Sequence, residues 1–295
     1  MIAERTLTVA ARRRPRRPGL ALTLQLGPAL GYFGLLFVGP VLVLVAYSLF
    51  TFRDFAYVPE LTLDNYVRAV ASPAFQAIFA RTVTLALITS ILVIAIAYPF
   101  VYVITFVFPA RRQTIYFLVL VTLFGSYLVR IYAWRTILGA EGLINGSLLG
   151  LGMIDEPVRF LLNSPFAVVV ALTNFLVPLA VLPIYSSMQN VSPGLLEAGR
   201  DLGAGRVELV RRIALPLTLP GVRVAFAFTF IAAASDFATP ALLGGQTGRM
   251  IGGAIVHEFG STLNWPLGAA LGLTLISVLV AVVAAMSAIS TRLTR

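Results

Sequence analysis

The sequence contains no cysteine, no lysine and a single histidine, and its charges are few: 12 acidic and 22 basic residues in 295, every basic one an arginine. Without cysteine there is neither a disulfide framework nor a thiolate metal site. Without lysine there is no GxxxxGK[ST] phosphate loop and no Schiff-base nucleophile, so any ATP hydrolysis linked to this protein must be done by another chain. His257-Glu258 begins a zinc-protease pattern but lacks the second histidine, and we read it as a loop residue with no metal site. Gly150-Leu151-Gly152 lacks the third glycine of a dinucleotide fingerprint, and Ser261 with a loop histidine is a poor nucleophile and base. No cofactor and no covalent chemistry are expected of this chain.

What is present is apolar. The chain is 59% hydrophobic and 12% charged, with a mean hydropathy of +0.92, far outside the range of a soluble globular domain. Apolar runs occur at 27–50, 82–108, 114–138, 164–187, 221–243 and 266–290. A helix needs ~20 such residues to cross ~30 Å of hydrocarbon, so each qualifies as a span. Gly39-Pro40, Pro99, Pro178 and Pro183 fall inside these runs and read as kinks, which neighbouring helices in a membrane can support. The fold class is all-α: a polytopic membrane protein of six transmembrane helices in one domain, 20–292, preceded by a disordered Arg- and Pro-rich segment, 1–19.

A net charge of +10 invites a nucleic-acid reading, but the arginines sit in short segments between apolar spans, which points to the lipid bilayer as the partner and not to nucleic acid. Arg12, Arg13, Arg14, Arg16 and Arg17 precede the first run; Arg111-Arg112, Arg200, Arg206, Arg211, Arg212, Arg292 and Arg295 fall on the same side once the spans are threaded. The opposite loops hold fewer arginines and most of the acids. Arginine marks the cytoplasmic side, so both termini are expected inside. External segments 51–81, 139–163 and 244–265 are long enough to receive a partner protein.

One polar island interrupts the second half of the chain. Ser192-Pro193 suits a helix start, with Ser capping and Pro at the first helical position. The helix is expected to run to Leu202, with Gly203 in the left-handed position that closes it. Leu195, Leu196, Gly199 and Leu202 recur at helical spacing while Glu197, Arg200 and Asp201 project away. A second short helix, from about Arg206 to Ala214, is expected to stop before Pro216. Such a knob either docks into a partner or lies on anionic headgroups.

Two further charges fall inside spans. Arg130, in Tyr127-Leu128-Val129-Arg130-Ile131-Tyr132-Ala133-Trp134-Arg135, is costly there unless it meets an acid or a water-filled cavity; Arg135 is near enough to the surface to snorkel. Asp236, in Ser235-Asp236-Phe237-Ala238-Thr239-Pro240, is the acid well inside a span, and the following Pro is expected to break the helix and leave free carbonyls nearby. Pairing with an arginine and lining a solute path are both open readings.

Glu197-Ala198-Gly199, three residues, Gly203, nine residues, then Ile213-Ala214-Leu215-Pro216 resembles the coupling loop of bacterial ABC importer permeases, Glu-Ala-Ala…Gly…Ile-x-Leu-Pro, with Gly199 in place of the second Ala. The segments around Arg130 and Asp236, Asp64-Asn65-Tyr66 and Leu-Pro-Ile-Tyr-Ser-Ser at 182–187 are similar to the first membrane subunit of spermidine/putrescine permeases, and permeases for iron, opines and other solutes look broadly alike. The resemblance implies a type I importer permease fold in the bacterial inner membrane. It implies that loop 188–220 couples to the ATPase through Glu197, Ala198, Gly199, Asp201, Gly203, Ile213, Leu215 and Pro216. It also implies a solute path near Asp236, Arg130, Tyr127 and Phe237. The implied partners are an ATP-binding subunit dimer, a second permease subunit and an external solute-binding protein, with ATP and magnesium held by the ATPase. An ion-coupled secondary carrier is the rival from another class, with Asp236 as its coupling group; it would show repeated broken helices and more buried acids.

Overall fold

The computed structural model describes residues 20–53 and 56–292, so the expected disorder of 1–19 lies outside the described residues. The chain divides into two units, 1–46 and 47–295. In the first, α1 (Leu20–Phe33) continues through a π turn at Gly34–Val38 into α2 (Gly39–Ser48). The Gly39 N–H donates to the Gly34 carbonyl, five residues back, just before Pro40. A proline ring collides with the carbonyl four residues earlier in an α-helix; the wider turn opens that space, and the helix passes through Gly39-Pro40 as expected.

The second unit opens on an antiparallel hairpin, β1 (Phe50–Arg53) and β2 (Ala56–Leu61), which the all-α reading did not contain. It is fastened by α3 (Asp64–Ala71): Asn65 Nδ2 donates to the carbonyls of Ser48 and Phe50 at 3.0 and 2.9 Å, and Tyr66 Oη lies 2.7 Å from Ser48 Oγ. Tyr47, Tyr57 and Trp265 cluster beside it, an aromatic belt of the kind that marks a membrane–water boundary.

Next comes α4 (Pro73–Phe106), 34 residues and so about 51 Å of helix, starting nine residues before the apolar run did. The third expected span, 114–138, is broken. A helix α5 (Arg112–Val121) and a 3₁₀ turn at Thr122–Phe124 end at Gly125-Ser126, both extended. From there α6 (Tyr127–Leu138) and α7 (Leu143–Gly150) leave at 90°. Five helices among the described residues are long and apolar enough to cross a membrane, six if this bent pair is counted as one span. An unbroken apolar run cannot show such a bend, because composition is the same on both sides of it.

The remaining elements are α8 (Pro165–Met188), α9 (Pro193–Asp201), α10 (Arg206–Leu209), α11 (Leu215–Ser235), α12 (Ala238–Leu243), α13 (Ile251–Gly260) and α14 (Trp265–Arg292). Pro178 and Pro183 stay inside α8 and Pro99 inside α4. His257 is on α13, not in a loop; the aliphatic run Ile251-Gly-Gly-Ala-Ile-Val carried that signal.

The core of this unit is the trio α4, α8 and α11, built on small residues: Ala97, Ala180, Ala225 and Ala233 are fully buried beside Leu172, Leu176, Ile184 and Phe230. Membrane helices gain from close packing more than from apolar burial, since lipid is itself apolar. Gly221 is the tightest point, because a Cβ there would lie 2.4 Å from Ser187 Cβ and 2.5 Å from the Pro183 carbonyl oxygen. Tyr98 Oη to Thr218 Oγ1 (3.1 Å) and Ser187 Oγ to the Thr218 carbonyl (3.3 Å) tie the same level of the three helices. Gly221→Val is therefore expected to cost about 3 kcal/mol or more through overpacking. Its readout is a lower thermal midpoint and less monodisperse protein after detergent extraction; wild-type values would contradict the packing.

Candidate coupling and translocation sites

The polar island forms a knob of two short helices. The C-terminus of α9 closes in a Schellman motif: Ala204 N–H donates to the Gly199 carbonyl (3.0 Å) and Gly203 N–H to the Arg200 carbonyl (2.8 Å), with Gly203 at φ +84°. The expected left-handed glycine is there. The expected Ser192 cap is not, since its side chain makes no capping bond and Pro193, lacking an N–H, leaves one donor fewer to satisfy. The second helix does not stop before Pro216. A π turn at Val210–Ala214, closed by Leu215 N–H on the Val210 carbonyl, widens the ladder ahead of Pro216, and the helix runs on unbroken from Arg206 to Ser235. This is the device already seen before Pro40.

The eight residues carried over by resemblance divide in two. Gly199 is buried: a Cβ there would meet Leu209 Cδ2 at 2.6 Å and Ile213 Cδ1 at 2.9 Å, so Gly199, Ile213 and the half-buried Leu215 hold the knob together. Glu197, Ala198, Asp201, Gly203 and Pro216 are exposed. Glu197 has no hydrogen bond or ion pair among the described residues. The expected apolar stripe is corrected as well. Leu196 is buried with Leu209, but Leu195 points outward, Leu202 is 89% exposed and Val207 on the facing helix is 81% exposed. The knob thus presents large apolar side chains beside Glu197 and Asp201, Arg206 and Arg211, which is the composition of an interface and not of a solvated turn.

The second site lies where two helices break. The ring of Pro240 clashes with the carbonyl four positions earlier, which belongs to Asp236. The break accordingly falls at Asp236-Phe237, not at the proline, and Pro240 sits in the first turns of α12. The Asp236 side chain caps the new helix: Oδ1 accepts from the N–H groups of Ala238 (3.0 Å) and Thr239 (3.5 Å). Oδ2 accepts from Tyr127 Oη at 2.5 Å, and Tyr127 Oη is 2.7 Å from Thr239 Oγ1. Tyr127 is the first residue of α6, so one bond joins the break at 125–126 to the break at 236–237.

Arg130 does not pair with Asp236. Its Nη2 donates to the Thr122 carbonyl at 2.6 Å, adding to the long bond (3.4 Å) that carbonyl accepts from the Gly125 N–H, and its guanidinium lies 5.3 Å over the Phe175 ring. Gly125 permits this reach, since a Cβ there would lie 3.1 Å from Nη2. The Phe175 ring that takes the Arg130 guanidinium also lies 4.7 Å from the ring of Tyr127, the partner of Asp236. Arg130 lines a cavity of about 830 Å³ with Thr122, Trp134 and Asn174, walled by Ile96 and Pro178. Asp236 lines another of about 230 Å³ with Tyr127, Phe175, Ser235 and the half-exposed Phe237. All four residues named for the path thus border these two cavities, and Arg135 is exposed. Thr239, Thr122 and Phe175 were missed; only Thr239, three residues after Asp236, had a readable signal, as a partner for a helix-capping acid. Among the described residues no group of three or more His, Asp or Glu side chains is placed to hold a metal ion.

Residues 70–295 match the family described as binding-protein-dependent transport system inner membrane component. The chain belongs to that family. It is the membrane-spanning permease subunit of a binding-protein-dependent importer, a transport component and not an enzyme. It is 34% identical over 237 residues to the spermidine/putrescine transport system permease protein PotB of Escherichia coli K12, covering 80% of this chain and 86% of that one. It is 33% identical over 266 residues to the inner membrane ABC transporter permease protein YdcU of the same organism, covering 86% and 84%. The crystal structure of a bacterial ABC transporter that imports the acidic polysaccharide alginate shares the fold, with a TM-score of 0.71 at 20% identity over 93% of this permease and 96% of that chain.

The geometry predicts which pairs of residues are coupled. In a double-mutant cycle read by unfolding in detergent, Tyr127→Phe and Asp236→Asn should couple by about 1 kcal/mol. Asp236→Asn and Arg130→Gln should be additive within about 0.5 kcal/mol. Strong coupling of the second pair would mean that the arginine and the acid do pair.

Proposed function

We propose that this permease admits a polyamine or a similar small organic cation, with Asp236 on the solute path. The observation that carries this reading is a half-buried carboxylate at a helix break, held by neutral donors and bordering a cavity, with no arginine against it among the described residues. A carboxylate at membrane depth is costly unless it meets water or a cation, and the relative named as a spermidine/putrescine permease supports a cationic cargo. Arg130, held back against a carbonyl and an aromatic face, borders the neighbouring cavity and keeps its charge away from the acid.

In this reading residues 188–220 dock into an ATPase subunit that carries ATP and magnesium, a second permease subunit completes the pore, and a solute-binding protein docks outside. Leu202, Val207, Ala198 and Glu197 form the contact surface, while Gly199, Ile213 and Leu215 keep it in shape. Receptor docking outside and ATPase closure inside both favour one arrangement of a two-state pore, and hydrolysis resets it. Both termini and the knob face the cytoplasm, as the arginine distribution requires.

Three measurements check these statements. Leu202→Asp and Gly203→Val should leave the protein in the membrane at normal level, weaken ATPase association at least about tenfold and abolish uptake; normal transport in both would remove the coupling role. Asp236→Asn should preserve assembly and receptor-stimulated ATPase activity while reducing polyamine flux by roughly tenfold or more; unchanged flux would remove Asp236 from the path. Cysteines placed at the exposed Gly146 and Gly205, where a side chain meets no neighbour within 4 Å, should differ in intact cells, with an impermeant thiol reagent labelling only the first. Labelling of the second alone would invert the topology.

A further inference from the structure

Arg223 is the one charged residue of α11. It faces away from both sites just described, into a cleft of about 370 Å³ walled by Ile94 of α4, Val222 and Phe226 of α11, and Val283, Met286 and Ser287 of α14. Its Nε is buried with no hydrogen-bond partner, and no ion pair holds it among the described residues. A cation in apolar surroundings needs a counter-charge, yet the three helices that enclose the cleft contain no aspartate and no glutamate. Among the described residues no carboxylate is placed to supply the counter-charge, which leaves the cleft open to an anion from outside the chain.

Depth identifies its source. Trp265 opens α14 at the aromatic belt, and Met286 lies about 32 Å further along that helix at 1.5 Å per residue. That is the thickness of the hydrocarbon layer, ~30 Å, so the cleft sits at the headgroup border of the leaflet opposite Trp265. Phosphates lie at this level and acyl chains begin there. A guanidinium fork matches a phosphate in two hydrogen bonds, and the cleft is apolar and outward-facing at Val224 and Met286, which are both exposed.

We propose that the cleft between α11 and α14 binds one phospholipid, its phosphate on Arg223 and an acyl chain against Val222, Phe226 and Val283. The site rests on the membrane setting that family membership establishes; calling its leaflet cytoplasmic rests on the topology proposed above. The cytoplasmic-labelling experiment can fail without touching lipid binding, and lipid binding can fail without changing the labelling.

The test uses the importer purified with its own partner subunits and counts retained phospholipid by native mass spectrometry with added phosphatidylglycerol. Arg223→Gln should show about tenfold lower occupancy of one lipid per copy of this chain, the effect of losing a hydrogen bond to a charged group, while Arg81→Gln on the opposite side should match wild type. An unchanged lipid count in Arg223→Gln overturns the proposal, and so does loss of the second permease subunit with the count unchanged, which would make the counter-charge a subunit carboxylate. A second measurement needs no variant: phosphatidylglycerol with a photoactivatable acyl chain should crosslink wild-type peptides containing 219–227 or 283–287. Crosslinks found only elsewhere, or abolished by millimolar inorganic phosphate, overturn it too.

Discussion

A backbone group freed inside a bilayer has no water to turn to, and both interrupted helices of this permease exist because side chains take over those bonds. At the first break Arg130 reaches back to the Thr122 carbonyl; at the second Asp236 caps the N–H groups of Ala238 and Thr239. The Tyr127 hydroxyl then bridges the two by bonding to both Asp236 and Thr239. Charged residues that look like a mutually neutralising pair in the sequence are each spent on a helix end of the opposite dipole: a cation at carbonyls, an anion at N–H groups. That is why they do not pair with each other.

How much of this was legible follows from what each signal is made of. Apolar length identified the spans, because the bilayer imposes it directly. Gly203 was readable because a left-handed helix end accepts little else. The bend at Gly125-Ser126 was not, since an apolar run keeps its composition through a turn. Pro240 was read as breaking the helix near Asp236, and the helix does break there; Pro216 was read as a stop, and the helix continues. Both outcomes turn on one fact: a proline acts on the carbonyl four residues earlier. At Pro240 that carbonyl leaves the helix at Asp236, while at Pro216 a π turn accommodates the ring and the helix continues. Which solution a helix takes is decided by what is available to receive the freed groups, and that is a tertiary matter.

The exchange of Ala for Gly199 in the coupling pattern has a similar local account. The two helices of the knob approach so closely there that a methyl group would press on Leu209 and Ile213. An alanine at this position would lie 2.6 Å from Leu209 Cδ2 and 2.9 Å from Ile213 Cδ1, so both side chains must shift, which flexible side-chain ends can do. The glycine marks a tighter packing of the same knob, not its loss.

The continuous helix from Arg206 to Ser235 relates the knob to the path. Its 30 residues make a rod of about 45 Å with the knob at one end and the Asp236 break at the other. Near the knob it is clamped: Gly221 lets it touch α8, and Thr218 is bonded to Tyr98 of α4 and Ser187 of α8. A push on the knob therefore cannot slide this helix alone and must carry α4 and α8 with it as one body. The clamp ends at the break, where α12 departs. Beyond it α6 is held to the same body in two ways: Ile131 and Leu138 share a buried cluster with Ala167 and Ala171 of α8 and Leu243 of α12, and the Tyr127 hydroxyl bonds to both Asp236 and Thr239. Close-packed helices resist shear, so a displacement carried by the rod and α8 reaches α6 through packed side chains as well as through the hydroxyl, and it does so beside Asp236, the residue that borders the cavity.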